Sequence, residues 1–321
     1  MIHHTLGDTG LRVSILGFGA SPLGNEFGSI DAAEGARAVR CAIERGINYF
    51  DVSPYYGRTL AESRLGEALR DHRHEVILAT KCGRYGKELP DGFDFSAQRI
   101  ARSVEESLAR LRTDYIDVLQ AHDIEFEHRE RIIGETLPAM RALKQAGKVR
   151  FVGITGYALH LLRDVAETAD VDTVLSYCRY DLLDTSLDDV LAPTARRKGF
   201  GLINASPLHM RLLSDTGAPE WHPAPKSVVA AAEAAARYCR ERGADIADLA
   251  LRFALGHGNV TTTLVGMSKA GHVERNVAAV GQAPGPDLLA GVLRILAPVA
   301  NVAWQEGLPE NYEPGAVPKG S

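Results

Sequence analysis

The sequence predicts a (β/α)8 TIM barrel, α/β in class, with an N-terminal β-hairpin and extra C-terminal helices. Three observations predict it. Apolar strand-like runs alternate with amphipathic helical stretches eight times along the 321 residues, which is what such a barrel requires. Three early runs end on an ionisable side chain, at Asp51, Lys81 and His122, the place where a parallel barrel carries its C-terminal rim. The first run, GFGASPLG (residues 17–24), does not suit the rival doubly wound sheet: the third glycine of its phosphate-binding fingerprint is out of register, and Pro22 interrupts the helix start. Those glycines read better as backbone passing close to a ligand.

Taken in order, residues 5–14 read as the hairpin, turning at Asp8, Thr9 and Gly10. Residues 15–19 form the first barrel strand, and a helix follows from the N-cap candidate Asp31 to Arg45, stopped by Gly46. Residues 47–52 are a short buried strand with Asp51 at its mouth, followed by a Pro-led turn carrying Tyr55 and Tyr56 and a helix over 62–70. The third strand, 75–81, leads into a polar loop over 83–94 that is long enough to reach across a rim. Ser96 caps the next helix, which runs to Leu111 with Val104, Leu108 and Leu111 on one face. Strands at 115–121, 149–154 and 173–176, with helices at 132–145, 158–167 and 187–197, supply the fourth to sixth units. Strand 200–204 opens the seventh, and a second long loop, 213–225, holds Trp221 and His222 before helices at 226–242 and 246–255. Strand 260–265, helices at 272–280 and 287–299, and an irregular tail with Trp304 complete the chain. With no repeat, low-complexity tract or linker, residues 1–321 are expected to form one domain.

Composition narrows the function classes. A net charge of -5 and a pI near 6.1 leave no basic footprint for nucleic acid. The start MIHHTLGDTG has no apolar signal core, and no run approaches the roughly 18 apolar residues of a membrane span, so a soluble, cytoplasmic protein without a membrane partner is expected. Cys41, Cys82, Cys178 and Cys239 are far apart and form no CxxC pair, and no HExxH spacing occurs, so neither a disulfide framework nor a metal is expected. Cys82 and Cys178 follow strand ends, as pocket residues or as small buried ones.

The chemistry gathers at the rim. Asp at the mouth of an apolar strand is costly unless paired, and Lys81 one strand on is the natural partner. A phenol titrates near pH 10, so Tyr56 is a poor proton-transfer group at neutral pH until a cation stabilises its phenolate. An ammonium about 4 Å away contributes on the order of 4 kcal/mol at an effective dielectric near 20, opposed by desolvation. Asp51 would keep that lysine charged and oriented, and His122 would hydrogen-bond the reacting oxygen. Each residue also has a bland reading: Asp and Lys as a structural ion pair, Tyr56 as a core phenol, His122 as a structural histidine.

Asp51, Tyr56, Lys81 and His122, with the five-residue step from Asp to Tyr, resemble the catalytic tetrad of the aldo-keto reductase family. The resemblance covers nearly the whole chain, from GDTGL (residues 7–11) to TLVGMS (residues 263–268), and is nearest to the family's L-galactose dehydrogenase branch through FDVSPYYG, ATKCGRY, GFDFS, HDIEF, LSYC, ASPL and EWHPA. It implies a nicotinamide dinucleotide lying extended across the barrel mouth, since no side chain of the tetrad carries redox chemistry. Ser21 and Asp51 would line its site. Thr155 and Ser176 would stand at the carboxamide, although the family's usual Ser-Asn pair and Gln are here Thr155-Gly156 and Ser176. Ala205 takes the position where many relatives stack a Tyr on the nicotinamide. Ser206, Pro207 and Leu208 would follow the pyrophosphate, and Gly266, Ser268, His272 and Asn276 the adenosine. Met267 and His272 stand where relatives that use NADP place Lys or Arg, which favours NAD, while Lys269 and Arg275 keep NADP open.

The branch resemblance further implies oxidation of an aldose, L-galactose or a similarly configured sugar such as L-fucose, at C1 to the lactone. Tyr55, Tyr85, Phe93, Asp123, Arg179, Trp221 and Trp304 would line the sugar pocket, the aromatics against C–H faces and the polar groups at hydroxyls. The alternatives are an NADP-dependent aldehyde or ketone reductase, a pyridoxal-type alcohol dehydrogenase, and a non-catalytic dinucleotide-binding regulatory subunit. The oligomeric state is not legible.

Overall fold

The computed structural model describes residues 1–26 and 28–321. Strands β1 (His3–Thr5) and β2 (Arg12–Ser14) pair antiparallel as the expected hairpin, its turn closed by Gly10 in the left-handed region. Parallel strands β3 (Leu16–Gly19), β4 (Tyr49–Asp51), β5 (Ile77–Cys82), β6 (Ile116–Ala121), β7 (Val149–Gly156), β8 (Thr173–Tyr177), β9 (Gly201–Ala205) and β10 (Thr262–Gly266) close into a barrel, with β10 pairing β3. This is the (β/α)8 architecture.

Helices α1 (Ala32–Glu44), α2 (Leu60–Leu69) and α3 (Ala97–Leu111) follow β3, β4 and β5. Their starts obey local chemistry where a cap is present: Asp31 accepts from the Glu34 N–H and Ser96 from the Arg99 N–H. After β6 the chain runs through α4 (Arg129–Arg131), a π turn (Ile132–Thr136) and α5 (Leu137–Gln145). The expected start at 132 is late by one short turn. Pro138 in the first turn of α5 has no N–H to donate backwards, which accounts for the wider turn before it. Helix α6 (Leu159–Thr168) follows β7. The single helix expected over 187–197 is two, α7 (Ser186–Val190) and α8 (Ala192–Lys198), because Pro193 interrupts the hydrogen-bond ladder. Helices α9 (Lys226–Arg240), α10 (Ile246–Leu255), α11 (Ala270–Ala278) and α12 (Pro286–Leu296) complete the outer layer.

The two-residue period of the strands sorts side chains between barrel lumen and helix layer. Tyr49, Ala79, Val118, Leu175, Ile203 and Leu264 meet inside the barrel. The hairpin side chains Leu6, Leu11 and Val13 join the same cluster and close the bottom of the barrel. Alternate residues face outward: Phe50 and Leu78 pack with α1 and α2, and Leu119 and Ala121 with α3 and α5. Two positions further along the inward rows stand Asp51, Lys81 and Gln120, so the register that fills the lumen with apolar groups also delivers charged and polar ones to its upper end.

The loop after β4 is held by two glycines back to back. Gly57 has φ of 61° and touches Gly24 so closely that a Cβ on Gly57 would lie 2.2 Å from the Gly24 carbonyl oxygen. Gly57→Ala combines a left-handed backbone with a backbone clash. It should lower stability by about 1–3 kcal/mol and displace the neighbouring Tyr56, checked by the urea midpoint and by crystallography of the variant.

Candidate active site

The rim residues converge as the strand period dictates. Lys81 is 2% exposed and Asp51 4%. The Lys81 ammonium forms an ion pair with Asp51 Oδ1 and donates to the Val52 carbonyl at 2.9 Å, while Gln120 Nε2 donates to Asp51 Oδ2 at 2.9 Å. Burial weighs against the charge on Lys81, but Asp51 and the Tyr56 phenol outweigh it and hold the ammonium above its ordinary pKa. Burial likewise pushes the Asp51 carboxyl up, against the pull of Lys81 and Gln120.

Tyr56 hangs from the loop after β4 with the Lys81 Nζ 5.0 Å from its ring centroid and the His122 ring edge-on at 5.7 Å. The phenol is not lowered toward neutrality, as the lysine alone would lower it. Burial pushes it up to about 12, Lys81 opposes this, and the Asp51 and Asp123 carboxylates add to it. The reason is the packing around the ring: removing water from a phenolate costs more here than one already neutralised ammonium returns. His122 is pushed down to about 3, by burial first and then by the Lys81 and Arg84 charges against the pull of Asp123. Its imidazole is therefore neutral, with Nδ1 3.0 Å from Ser53 Oγ.

These groups open into a cleft of about 1030 Å³, at the upper end of what small-molecule sites occupy. Of the residues expected at a dinucleotide, Ser21, Asp51, Thr155, Ala205, Ser206, Pro207, Leu208, Gly266, Ser268 and His272 line it. Ser176 does not. Its neighbours Leu175 and Tyr177 face the cleft, so strand alternation turns Ser176 toward the helix layer, where it is fully buried. Asn276, one turn along α11 from His272, also lies outside the cleft lining. Thr155 Oγ1 is engaged by Asp123, accepting from its N–H at 3.0 Å and donating to Oδ1 at 3.4 Å.

Of the residues expected at a sugar, Tyr55, Asp123 and Trp221 line the cleft, and Trp221 is 55% exposed. The other four lie outside its lining. Tyr85 accepts from the Gly83 N–H at 3.1 Å under the Arg99 guanidinium. Phe93 stacks behind Phe126, which is the ring that reaches the cleft. Arg179 is buried in an ion pair with Asp184 at 2.9 Å. Trp304 is buried against Tyr157 and donates from Nε1 to Glu306 at 3.1 Å, so Glu306 is the residue the tail presents. Cys82 and Cys178 are buried and outside the lining.

Sequence reading missed several residues. Arg84 pairs with Asp123 and lies 4.1 Å over the Tyr55 ring, a guanidinium at the cleft wall that the run ATKCGRY contained but did not single out. Gln120 could have been found as the inward-facing residue two before His122 in β6. Glu306 and Lys319, paired at 2.8 Å, come from a tail with no periodic pattern, and no sequence signal placed them.

Comparison with known proteins bears on this geometry. The model of the Aldo/keto reductase family matches residues 15–284. The chain belongs to the aldo/keto reductase family. It is 47% identical over 316 residues to an L-galactose dehydrogenase from Arabidopsis thaliana, covering 95% of this chain and 98% of the relative. Identity to a pyridoxal 4-dehydrogenase from Microbacterium luteolum is 29%, over 85% of this chain and 91% of that one. Among solved structures, the holo form of an aldo-keto reductase from Bacillus halodurans superposes with a TM-score of 0.78 at 28% identity, covering 98% of this chain and all of the other.

As an aldo/keto reductase the chain is an oxidoreductase that works with a nicotinamide dinucleotide. The cleft fits such a group. Gly19 and Gly266 line it without side chains, and a Cβ on either would meet packed protein, 3.1 Å from the Val265 oxygen or 3.0 Å from Pro22 Cγ. Ser206 and Ser268 bring hydroxyls, and Arg211 a positive charge, to the same cleft. Among the described residues no helix is long and apolar enough to cross a membrane.

The buried pair itself is testable. Lys81→Met leaves Asp51 without its cation and should cost about 3–5 kcal/mol, with Asp51→Leu in the same chain restoring part of the loss, measured by equilibrium chemical denaturation.

Proposed function

We propose that the chain acts as one catalytic barrel domain that oxidises an aldose at C1 to the lactone with NAD, the sugar being L-galactose or one of similar configuration such as L-fucose. The observation that carries the proposal is Tyr56 between the Lys81–Asp51 pair and a neutral His122, at the deep end of a cleft that also holds the polar wall of Arg84 and Asp123. The 47% identity to an L-galactose dehydrogenase over nearly the whole of both chains supports the sugar assignment. A cytoplasmic setting accords with four free cysteines.

A nicotinamide dinucleotide bound in the cleft would supply the redox chemistry, as the hydride acceptor that no side chain of the site can be. The chain's own work is to hold the sugar and move a proton. Tyr56 Oη takes the proton of the C1 hydroxyl, Lys81 stabilises the phenolate by charge, and Asp51 with Gln120 keeps Lys81 in place. His122 hydrogen-bonds the same oxygen as a neutral group and so fixes its direction without competing for the proton. Ser206, Pro207 and Leu208 would hold the pyrophosphate side, and Gly266, Ser268 and His272 the adenosine side. Tyr55, Trp221 and Phe126 would offer ring faces to sugar C–H groups. Arg84 and Asp123 would meet its hydroxyls.

NAD is favoured over NADP by what stands at the adenosine end. Met267 is fully buried, and burial together with Arg275 and Lys269 holds His272 below its ordinary pKa. Neither of these two side chains supplies the fixed cation that a 2'-phosphate requires, and Lys269 and Arg275 beside His272 are the groups that the NADP alternative would use.

Absorbance of reduced cofactor, followed across a panel of L- and D-aldoses, pyridoxal and simple aldehydes, tests the proposal. L-galactose or L-fucose with NAD should give the highest kcat/KM. Turnover of simple aldehydes alone, or a much higher kcat/KM with NADP, would defeat it. A phenol near pKa 12 must lose its proton before it can accept one. Sugar oxidation should therefore accelerate from about pH 7 to about pH 10, whereas carbonyl reduction, which uses the protonated phenol, should not. Tyr56→Phe should remove that rise and lower kcat by at least about a hundredfold, with cofactor binding by fluorescence titration unchanged.

A further inference from the structure

Ser53 leaves β4 two residues after Asp51 and so continues the inward-facing row. Its side chain is fully buried. Its Oγ accepts the Tyr55 N–H at 3.0 Å and lies 3.0 Å from His122 Nδ1. We propose that Ser53 is a positioning residue that fixes the tautomer of His122, holding Nδ1 as acceptor and presenting Nε2–H to the cleft.

The inference comes from accounting for one proton. A buried hydroxyl must donate somewhere. Among the described residues the His122 Nδ1 is the acceptor that Ser53 Oγ meets, the Tyr55 N–H on its other side being a donor. If Nδ1 carried the proton instead, Oγ would face two donors and its own hydrogen would be buried without a partner. The imidazole is neutral, as its depressed pKa requires, so one ring nitrogen carries a hydrogen and the serine decides which. Nε2 is 3.6 Å from Asp123 Oδ2, beyond ordinary hydrogen-bond length. Asp123 is already engaged by Arg84 and Thr155. The Nε2 hydrogen is thus left for an oxygen in the cleft.

The consequence for catalysis rests on the role given to His122 in the sugar reaction, whereas the tautomer itself does not. Protein labelled with ¹⁵N-histidine, without added ligand, gives the tautomer from long-range ¹H–¹⁵N correlation, with the His122 signals assigned by their loss in His122→Asn. The expected result is an unprotonated Nδ1 and a protonated Nε2 at His122. Ser53→Ala should convert this to the other tautomer or a mixture, and Ser53→Thr, which keeps the hydroxyl, should restore the pattern. With L-galactose and NAD, Ser53→Ala should lower kcat roughly tenfold, the factor that one hydrogen bond of ordinary strength corresponds to, with the Thr variant near the unmodified rate. A protonated Nδ1 in the unmodified protein, or an unchanged tautomer in a folded Ser53→Ala, overturns the proposal. Failure of every sugar to react, with the tautomers as expected, overturns the sugar assignment and leaves the serine's role standing.

Discussion

A lysine almost wholly removed from water, paired with an aspartate equally removed, is the constraint around which the upper half of the barrel is arranged. Neither charge is tolerable there alone, and their mutual attraction offsets desolvation only when the remaining hydrogen-bonding capacity is met. The chain meets it with the Val52 carbonyl for Lys81 and the Gln120 amide for Asp51. The pair therefore couples β4, β5 and β6 at one level. Anything that needs a fixed cation at that level has only a narrow place in which to stand.

Tyr56 occupies that place, and its electrostatics follow from the pairing. An ammonium already neutralised by a carboxylate pulls less on a third group than an isolated ammonium would, and the carboxylate itself pushes the other way. Dry packing then prevails, and the phenol stays protonated well above neutral pH. Such a site is pre-set as a proton donor. Under the proposed sugar oxidation the phenol must lose its proton before it can accept one, and the Lys81 ammonium is the group beside it that favours this. The neutral histidine beside it is the complementary feature, since burial denies it a charge and Ser53 orders what remains.

The rest of the cleft belongs to loops and the tail. Arg84, held over the Tyr55 ring and pinned to Asp123, gives the cleft a polar face in which the two charges offset each other, suited to hydroxyl groups. Glu306 and Lys319 also line the cleft, carried by a tail that Trp304 anchors on Tyr157. Asn311 fastens the same tail by donating to the Glu125 and Glu127 carbonyls, each at 2.9 Å.

The strand period, the caps at Asp31 and Ser96, and the ionisable strand ends were legible in the chain alone, because they depend on neighbours within a few residues or on the two-residue alternation. They yielded the barrel and the convergence of Asp51, Tyr56, Lys81 and His122. Four aromatic or charged residues chosen for a sugar pocket were assigned from residue type and loop position. Tyr85, Phe93, Arg179 and Trp304 instead lie outside the cleft lining, Phe93 stacked on Phe126 and Trp304 bonded to Glu306, and the distinction lies in side-chain direction, which spacing does not carry. Ser176 missed the cleft by a single step of the pleat. The phenol's high pKa, the histidine's neutrality and the arrival of Glu306 and Lys319 were decided by tertiary structure, for one reason. Burial and charge at a point sum over everything packed around it, and most of what is packed there comes from far along the chain.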